Sequence, residues 1–309
     1  MRVLLTADWH IRGDSPICRS DEDWLKTQCT DIKNVHDIFV DEKCDVMWIM
    51  GDLFHRAICS TETVNALLNA LKLWERKQIR ILPGNHDLPY HSYDNLDNSS
   101  LGIVLKYYDE LKCLPYSGSC HPYAAPFGLD DPKRDASKLE ELDANVWVTH
   151  RLTFPNEEAR PIKDCGYTAQ ELLDMAPTIP LVLTGDYHHG FMYTAPDGRR
   201  VVTPGCLNIQ AVDMADYRPG VFVWDTCTGE ITRHELPENG TITDQYMTAA
   251  KAKDERLEQC VARIGDTSEI TLDFEDNLEK ALVGQKKGVL DVHQEIKTKL
   301  YGEKNESNH

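Results

Sequence analysis

None of the ten cysteines forms a C-x-x-C pair with another, which argues against a thiolate zinc site or a disulfide framework. Reduced, mostly buried thiols are the expectation. No run of about eighteen apolar residues occurs, so no segment is expected to span a membrane. A leader pattern is also missing: the chain opens Met1-Arg2-Val3-Leu4-Leu5-Thr6 and reaches Asp8-Trp9-His10 at once, which predicts an intracellular, cytoplasmic protein. There is no G-x-x-x-x-G-K-[ST] loop, so any ATPase activity linked to this chain belongs to another polypeptide. Internal repeats, low-complexity tracts and long linkers are absent as well. Basic residues are scarce, with 33 Lys+Arg against 51 Asp+Glu and a formal charge of −18, of which −14 lies on residues 1–240. That balance argues against a protein that grips nucleic acid alone through a basic face.

What is present is a 309-residue chain, 41% apolar, long enough for one large domain with an appendage. Short β-rich runs alternate with helical patterns over the first 235 or so residues. Strands are predicted at Arg2–Thr6, Asp45–Met50, Ile79–Leu82, Asn145–Thr149, Leu181–Thr184, Phe191–Thr194, Arg200–Thr203, Val221–Trp224 and Glu230–Glu235. A helix from about Asp21 to Glu42 would start on a Ser20/Asp23 capping box and bury Leu25, Cys29, Ile32, Val35 and Phe39. A second, beginning near Thr61, carries Val64, Leu67, Leu68, Leu71 and Trp74 in a stripe. Strand, helix, strand, helix, strand implies a parallel α/β core, whereas the crowded strands after Asn145 suggest a more antiparallel second sheet. After Pro237 the chain turns charged and helical, with a strand candidate at Ile270–Leu272 and an apolar helical stripe over Val289–Leu300. The expected division is residues 1–236 and a small accessory segment, 237–309, for capping or partner binding.

Five apolar strands end in metal-ligating side chains. The loops are Asp8-Trp9-His10, Gly51-Asp52-Leu53-Phe54-His55, Gly84-Asn85-His86-Asp87, His150 after Val148-Thr149, and Gly185-Asp186-Tyr187-His188-His189. Loops beyond the carboxyl ends of parallel strands converge on one crevice, so these five predict one polynuclear site. Glycine before the ligand in three of them permits close backbone approach. Oxygen and imidazole without thiolate favour manganese, iron, zinc or magnesium.

The motif order D-x-H, G-D, G-N-H-D, H and G-x-x-H over residues 8–188 resembles the calcineurin-like metallophosphoesterases. Ala7-Asp8-Trp9-His10, Gly51-Asp52-Leu53-Phe54-His55, Gly84-Asn85-His86-Asp87 and Pro204-Gly205-Cys206-Leu207 make it most similar to the SbcD-type nuclease subunit of the double-strand-break repair complex. The resemblance covers about three-quarters of the chain. It implies a four-layered α/β-β/α sandwich and two divalent metals, manganese first among magnesium, iron and zinc. Asp8, His10 and His188 would bind one metal, Asn85 and His150 the other, and Asp52 would bridge them. His86 would act on the substrate, Asp87 would orient His86, and His55 would position the DNA phosphate. Asp186 stands where the family has histidine; it is read as a ligand that gives the second metal a harder, more anionic set of donors, the other reading being an outer role with His189 swinging in.

The activity so implied is DNA phosphodiester hydrolysis, exonucleolytic on duplex ends and endonucleolytic on single strands. The implied partners are DNA, a separate SbcC-type ABC ATPase and a second copy of the chain, through Thr61–Lys77 and Ser99–Leu111. Two rivals stand beside it. A phosphodiesterase for small or cyclic nucleotides suits the acidic balance, and a non-catalytic subunit with a structural metal site would leave His86 without a purpose. Arg12, Arg19 and Arg56 lie near ligand loops and are either phosphate contacts or ordinary surface arginines. His36, His91, His121, His234, His293 and His309 have no ligand context.

Overall fold

Strand β1 (Arg2–Thr6) is the axis of the first sheet. It pairs in parallel with β2 (Val46–Met50), and β2 pairs with β3 (Ile79–Leu82). In the computed structural model, which describes residues 1–112, 120–129, 132–141, 143–162, 165–211, 214 and 216–237, two sheets lie between helical layers. Between the first three strands run α1 (Trp24–Asp41) and α2 (Thr61–Leu71), followed by α3 (Ser100–Val104) and the short β4 (Asp109–Glu110) at the sheet edge. The second sheet is built from β5 (Pro122–Ala125), β6 (Val146–His150), β9 (Leu181–Gly185), β10 (Phe191–Thr194) and β11 (Arg200–Thr203). Its crossovers carry α4 (Pro132–Glu141), the small pair β7 (Thr153–Phe154) and β8 (Tyr167–Thr168), and α5 (Ala169–Met175). The chain returns to the first sheet as β12 (Gly220–Asp225) and β13 (Ile231–Glu235), antiparallel beside β1.

Alternation along the strands produces the layers. In β2 every residue is buried: Val46, Trp48 and Met50 face the second sheet, while Met47 and Ile49 face the helices. The inter-sheet core joins Val3, Leu5 and Trp48 to Val148, Leu183 and Val202. Outside the first sheet, Leu4, Ile49 and Ile81 pack on Ile32, Val35, Leu67 and Leu71. Outside the second, Trp147, Val182 and Val201 pack on Leu139, Leu172 and Leu173. The result is the four-layered α/β-β/α sandwich that the resemblance implied.

Several expectations change. The second sheet is largely parallel, because α4 and α5 provide right-length crossovers from β5 to β6 and from β6 to β9; only the β10–β11 hairpin is antiparallel. Strand β5, with a proline and two alanines, carried too weak a β signal to be read. Helix α1 starts at Trp24, not Asp21, because Asp23 itself is the N-cap and accepts from the Lys26 amide. Asp21 instead pairs with Arg19. The buried face of α1 is also turned from the expected one: Trp24, Gln28, Asp31, Ile32, Val35 and Phe39 are buried, whereas Leu25 and Cys29 are half-buried. Trp74 is buried beyond the end of α2. The described cysteines are free thiols. No helix among the described residues is long and apolar enough to cross a membrane. The accessory segment beyond Pro237, with Ile270–Leu272 and Val289–Leu300, lies outside the described residues.

Trp48 is fully buried and meets Trp224 edge-on at 6.2 Å. Trp48→Ala should therefore lower stability by about 3–5 kcal/mol, read as a reduced denaturant midpoint. A midpoint within error of wild type would mean that Trp48 does not anchor the core between the sheets.

Candidate metal centre

Parallel strands point the same way, so the carboxyl ends of β1, β2 and β3 share one edge, as do those of β6 and β9. At that edge the ligand loops are tied to one another through their backbones. The Asp8 amide donates to Gly51 O (3.1 Å), the His10 amide to Asp52 O (2.9 Å), and the Asp186 amide to both Asp8 carboxylate oxygens (3.1 Å each). The His86 amide donates to Asp52 Oδ1 at 2.9 Å. Asp8, His10, Asp52 and Asp186 all have left-handed backbone, with φ of 51°, 45°, 51° and 76°. Asp and His tolerate this region better than most residues, yet each instance costs on the order of 1 kcal/mol. Glycine is required at two turns. A Cβ on Gly51 would overlap the His150 ring, and one on Gly84 would overlap the Asp52 carboxylate and amide.

Three ligand triads result, each with its donor atoms within 4.8 Å of one another: Asp8, His10 and His188; Asp8, Asp52 and His150; His10, His55 and His86. Asp52 Oδ2 lies 3.7 Å from His10 Nε2 and 3.4 Å from His150 Nε2, between the first two groups. Asn85 Oδ1 lies 3.0 Å from His150 Nε2. Turned over, the same amide would donate to Asp52 Oδ1 and Oδ2 (3.3 and 3.2 Å). Asn85 thus either satisfies the carboxylate with its NH2 or offers its oxygen to a cation. Asp186 joins none of the triads; its Oδ1 is 4.0 Å from His150 Nε2, and its amide holds Asp8.

The donor set fits divalent cations. Asp8 and Asp52 are fully buried, and among the described residues no lysine or arginine pairs with either. Buried carboxylates faced only by imidazoles are costly to keep charged, and a cation at this cluster would offset that charge. His150 donates Nδ1–H to Met50 O at 2.8 Å, which leaves Nε2 as the nitrogen available to a cation. His10 and His188 bring their Nε2 atoms to 3.0 Å of each other, and burial pushes both imidazoles toward the neutral, ligand-competent form. Burial also raises the Asp8 carboxyl, reinforced by Asp52 and Asp186. Burial opposes charge on Asp52 and on His150 alike. For Asp52 the His150, His10 and His86 rings outweigh it and hold the carboxyl low; for His150 the Asp52, Asp8 and Asp186 carboxylates outweigh it and raise the imidazole. The cluster is able to bind metal ions.

The groups assigned to substrate chemistry separate into two kinds. His86 is half-buried, and its Nδ1 bonds to His55 O at 2.8 Å, so Nε2 remains free for the site. His55 stacks on His86 with ring centres 5.6 Å apart, and burial, aided by Arg12, lowers its pKa to about 4. Asp87 instead faces inward. Its carboxylate accepts from the amides of Gly84 (3.0 Å), Leu53 (3.2 Å) and Phe54 (2.9 Å), and burial with the nearby Asp52 charge raises it to about 7. It fixes the two loops that carry Asp52 and His86, and the His55 carbonyl orients the His86 ring.

Other supports were not read from the sequence. His91 bonds Asn85 O through Nδ1 (3.1 Å), and Gln210 Nε2 donates to Trp9 O (3.2 Å) and His10 O (3.4 Å). The Cys206 amide donates to His188 O (2.9 Å), and Tyr217 OH donates to Pro204 O and Cys206 O (3.2 Å each), so the Pro204–Leu207 segment braces the last ligand loop. Only that segment gave a sequence signal. His189 packs on Tyr187 and Tyr217.

Metal binding requires Asp8 and His150 to give up protons that their surroundings hold more tightly than usual. Raising the pH removes those protons, so manganese affinity should increase from about pH 6 to 8, with proton release on binding. Calorimetric titration in buffers of different ionisation enthalpy measures both. Affinity that falls with pH, or binding without proton release, would contradict this electrostatic picture.

The sequence pattern of the calcineurin-like phosphoesterases matches residues 1–189. No curated protein matches the chain. Solved structures similar to it include an archaeal phosphodiesterase at 15% identity and TM-score 0.42, covering 76% of this chain and 100% of that one. A protein of Thermus thermophilus is similar at 13% identity and TM-score 0.48, covering 76% and 99%. A dimetal phosphatase from Danio rerio is similar at 12% identity and TM-score 0.47, covering 79% and 98%. The chain belongs to the calcineurin-like phosphoesterase family, whose members are metal-dependent phosphoester hydrolases built around two metals.

Proposed function

We propose that this chain hydrolyses DNA phosphodiester bonds, exonucleolytically at duplex ends and endonucleolytically on single strands, in DNA repair, recombination or replication. The observation that carries the reading is the His86–His55 pair beside the ligand cluster, with His86 Nδ1 fixed by the His55 carbonyl and Nε2 left free. Asp8, His10 and His188 would hold one divalent cation and Asn85, His150 and Asp186 the other, with Asp52 shared. Manganese suits this oxygen-rich set. Two such cations would supply Lewis-acid activation of water and offset the charge of the phosphate. Water adds to phosphorus, the bond to the leaving sugar oxygen breaks, and His86 delivers the proton that oxygen needs. His55 holds the phosphate against His86, and Asp87 keeps both loops in place.

Hydrolysis of small or cyclic nucleotides is the second reading, favoured by the charge of −18. Manganese-dependent assays on end-labelled duplex DNA, circular single strands and cyclic nucleotides separate the two. We expect DNA cleavage that needs metal and falls about 10²–10⁴-fold in kcat on His86→Ala. Cleavage of cyclic nucleotides alone, or DNA cleavage that survives the substitution, would reject the proposal.

The SbcD-like reading also proposes a separate ABC-type ATPase partner and a homodimer. Within the two dimer segments, Leu73, Ile103 and Tyr107 expose 46%, 44% and 56% of their surface. If they form the dimer contact, light scattering should give twice the chain mass, and Ile103→Glu with Tyr107→Glu should halve it. A wild-type monomer at micromolar concentration would refute the dimer.

A further inference from the structure

The loops that leave β1 and β2 run side by side past their ligands. The Ile11 amide donates to Leu53 O (3.0 Å) and the His55 amide to Ile11 O (3.2 Å), making a parallel bridge between Ile11 and Phe54. This register carries Arg12 and Arg56 to neighbouring positions beside His55. Gln28, fully buried on α1, holds the Arg12 backbone from both sides: its Nε2 donates to Arg12 O (2.7 Å) and its Oε1 accepts from the Arg12 amide (3.2 Å). The Arg12 side chain is 15% exposed, and its buried Nε has no hydrogen-bond partner. Arg56 is 70% exposed.

Both guanidiniums turn toward one anion. Arg12 pairs with the Asp14 carboxylate, and Arg56 Nη2 lies 4.0 Å from the same oxygen. Asp14 sits on an exposed loop, with 57% of its side chain in solvent, so the pairing is weak and readily exchanged. From there a row of imidazoles continues inward. His55 meets His10 edge-on at 5.6 Å and stacks on His86 at 5.6 Å. In a chain of net charge −18, two guanidiniums leading into the ligand cluster are a local exception that needs a reason. A carboxylate between two guanidiniums has the charge and planar donor match of a phosphate oxygen pair.

We propose that Arg12 and Arg56 form a subsite for the phosphate neighbouring the scissile one in a polynucleotide, with Asp14 filling it until substrate displaces it. The proposal rests on the reading of the chain as a DNA phosphodiesterase and adds how it selects chain substrates. A cyclic nucleotide or single diester has no second phosphate to place there. Binding energy is thus concentrated at the rim, where an acidic protein has no general attraction for DNA to offer.

The test compares wild type, Arg56→Gln, Arg12→Gln and Asp14→Asn with manganese on oligothymidylates whose phosphates beside the cleaved bond are native or replaced by neutral methylphosphonate. Wild type should prefer the native oligomer by about tenfold in kcat/KM, expressed in KM. Either arginine substitution should remove most of that preference, and Asp14→Asn should enlarge it. Arg56 is exposed, so its variant tests the idea without disturbing the fold. Independently, binding of labelled oligothymidylate to metal-free protein should lose about 0.7 from the slope of log K against log salt for each arginine removed. DNA cleavage with preference and slope unchanged in both arginine variants would overturn the subsite. Slopes that respond to the arginines while wild type cleaves no DNA would leave the subsite standing and reject DNA as the substrate hydrolysed.

Discussion

Two buried carboxylates with no lysine or arginine beside them set the terms for the rest of this molecule. Asp8 and Asp52 sit at zero exposure, among imidazoles and without an arginine or lysine among the described residues to balance them. Such a pair is tolerable only if a cation is supplied or if the carboxylates share protons with nearby groups. The same constraint explains the opposed behaviour of the histidines. His10 and His188 are driven neutral by burial, whereas His150, next to both carboxylates, is drawn toward charge. A divalent cation held by this cluster would relieve that frustration.

The fold pays for that arrangement in backbone strain. Four ligand-loop residues adopt left-handed conformations, and Gly51 and Gly84 are placed where a Cβ would strike His150 or Asp52. These costs are borne by the sandwich beneath, whose two apolar layers fix the strand ends. Asp87 converts that rigidity into position: three backbone amides from two loops converge on one carboxylate, so Asp52 and His86 move as a unit. Arg12 and Arg56, brought together beside His55, place two positive charges at the mouth of the ligand cluster in a strongly acidic chain.

The sequence made the site far more legible than the fold around it. The candidate ligands are visible because each follows an apolar strand, and the strands are visible as continuous apolar runs, as in Val46–Met50. Roles that depend on direction rather than residue type were hidden. Nothing in Asn85-His86-Asp87 tells that Asp87 points into the loops while the His55 carbonyl holds His86. The close spacing of strands after Asn145, with the Pro196-Asp197-Gly198 turn, points to a more antiparallel second sheet, but that turn joins only the β10–β11 hairpin and the other pairings are parallel. The turned face of α1 was hidden for a related reason: Gln28 and Asp31 are polar yet buried, and Gln28 is there to grip Arg12.

Metal stoichiometry tests the central claim most directly. Elemental analysis or native mass spectrometry of protein loaded with manganese should give two ions per chain, and one after His150→Ala. One ion or none in the wild-type protein, with the fold intact by circular dichroism, would contradict a centre built for two.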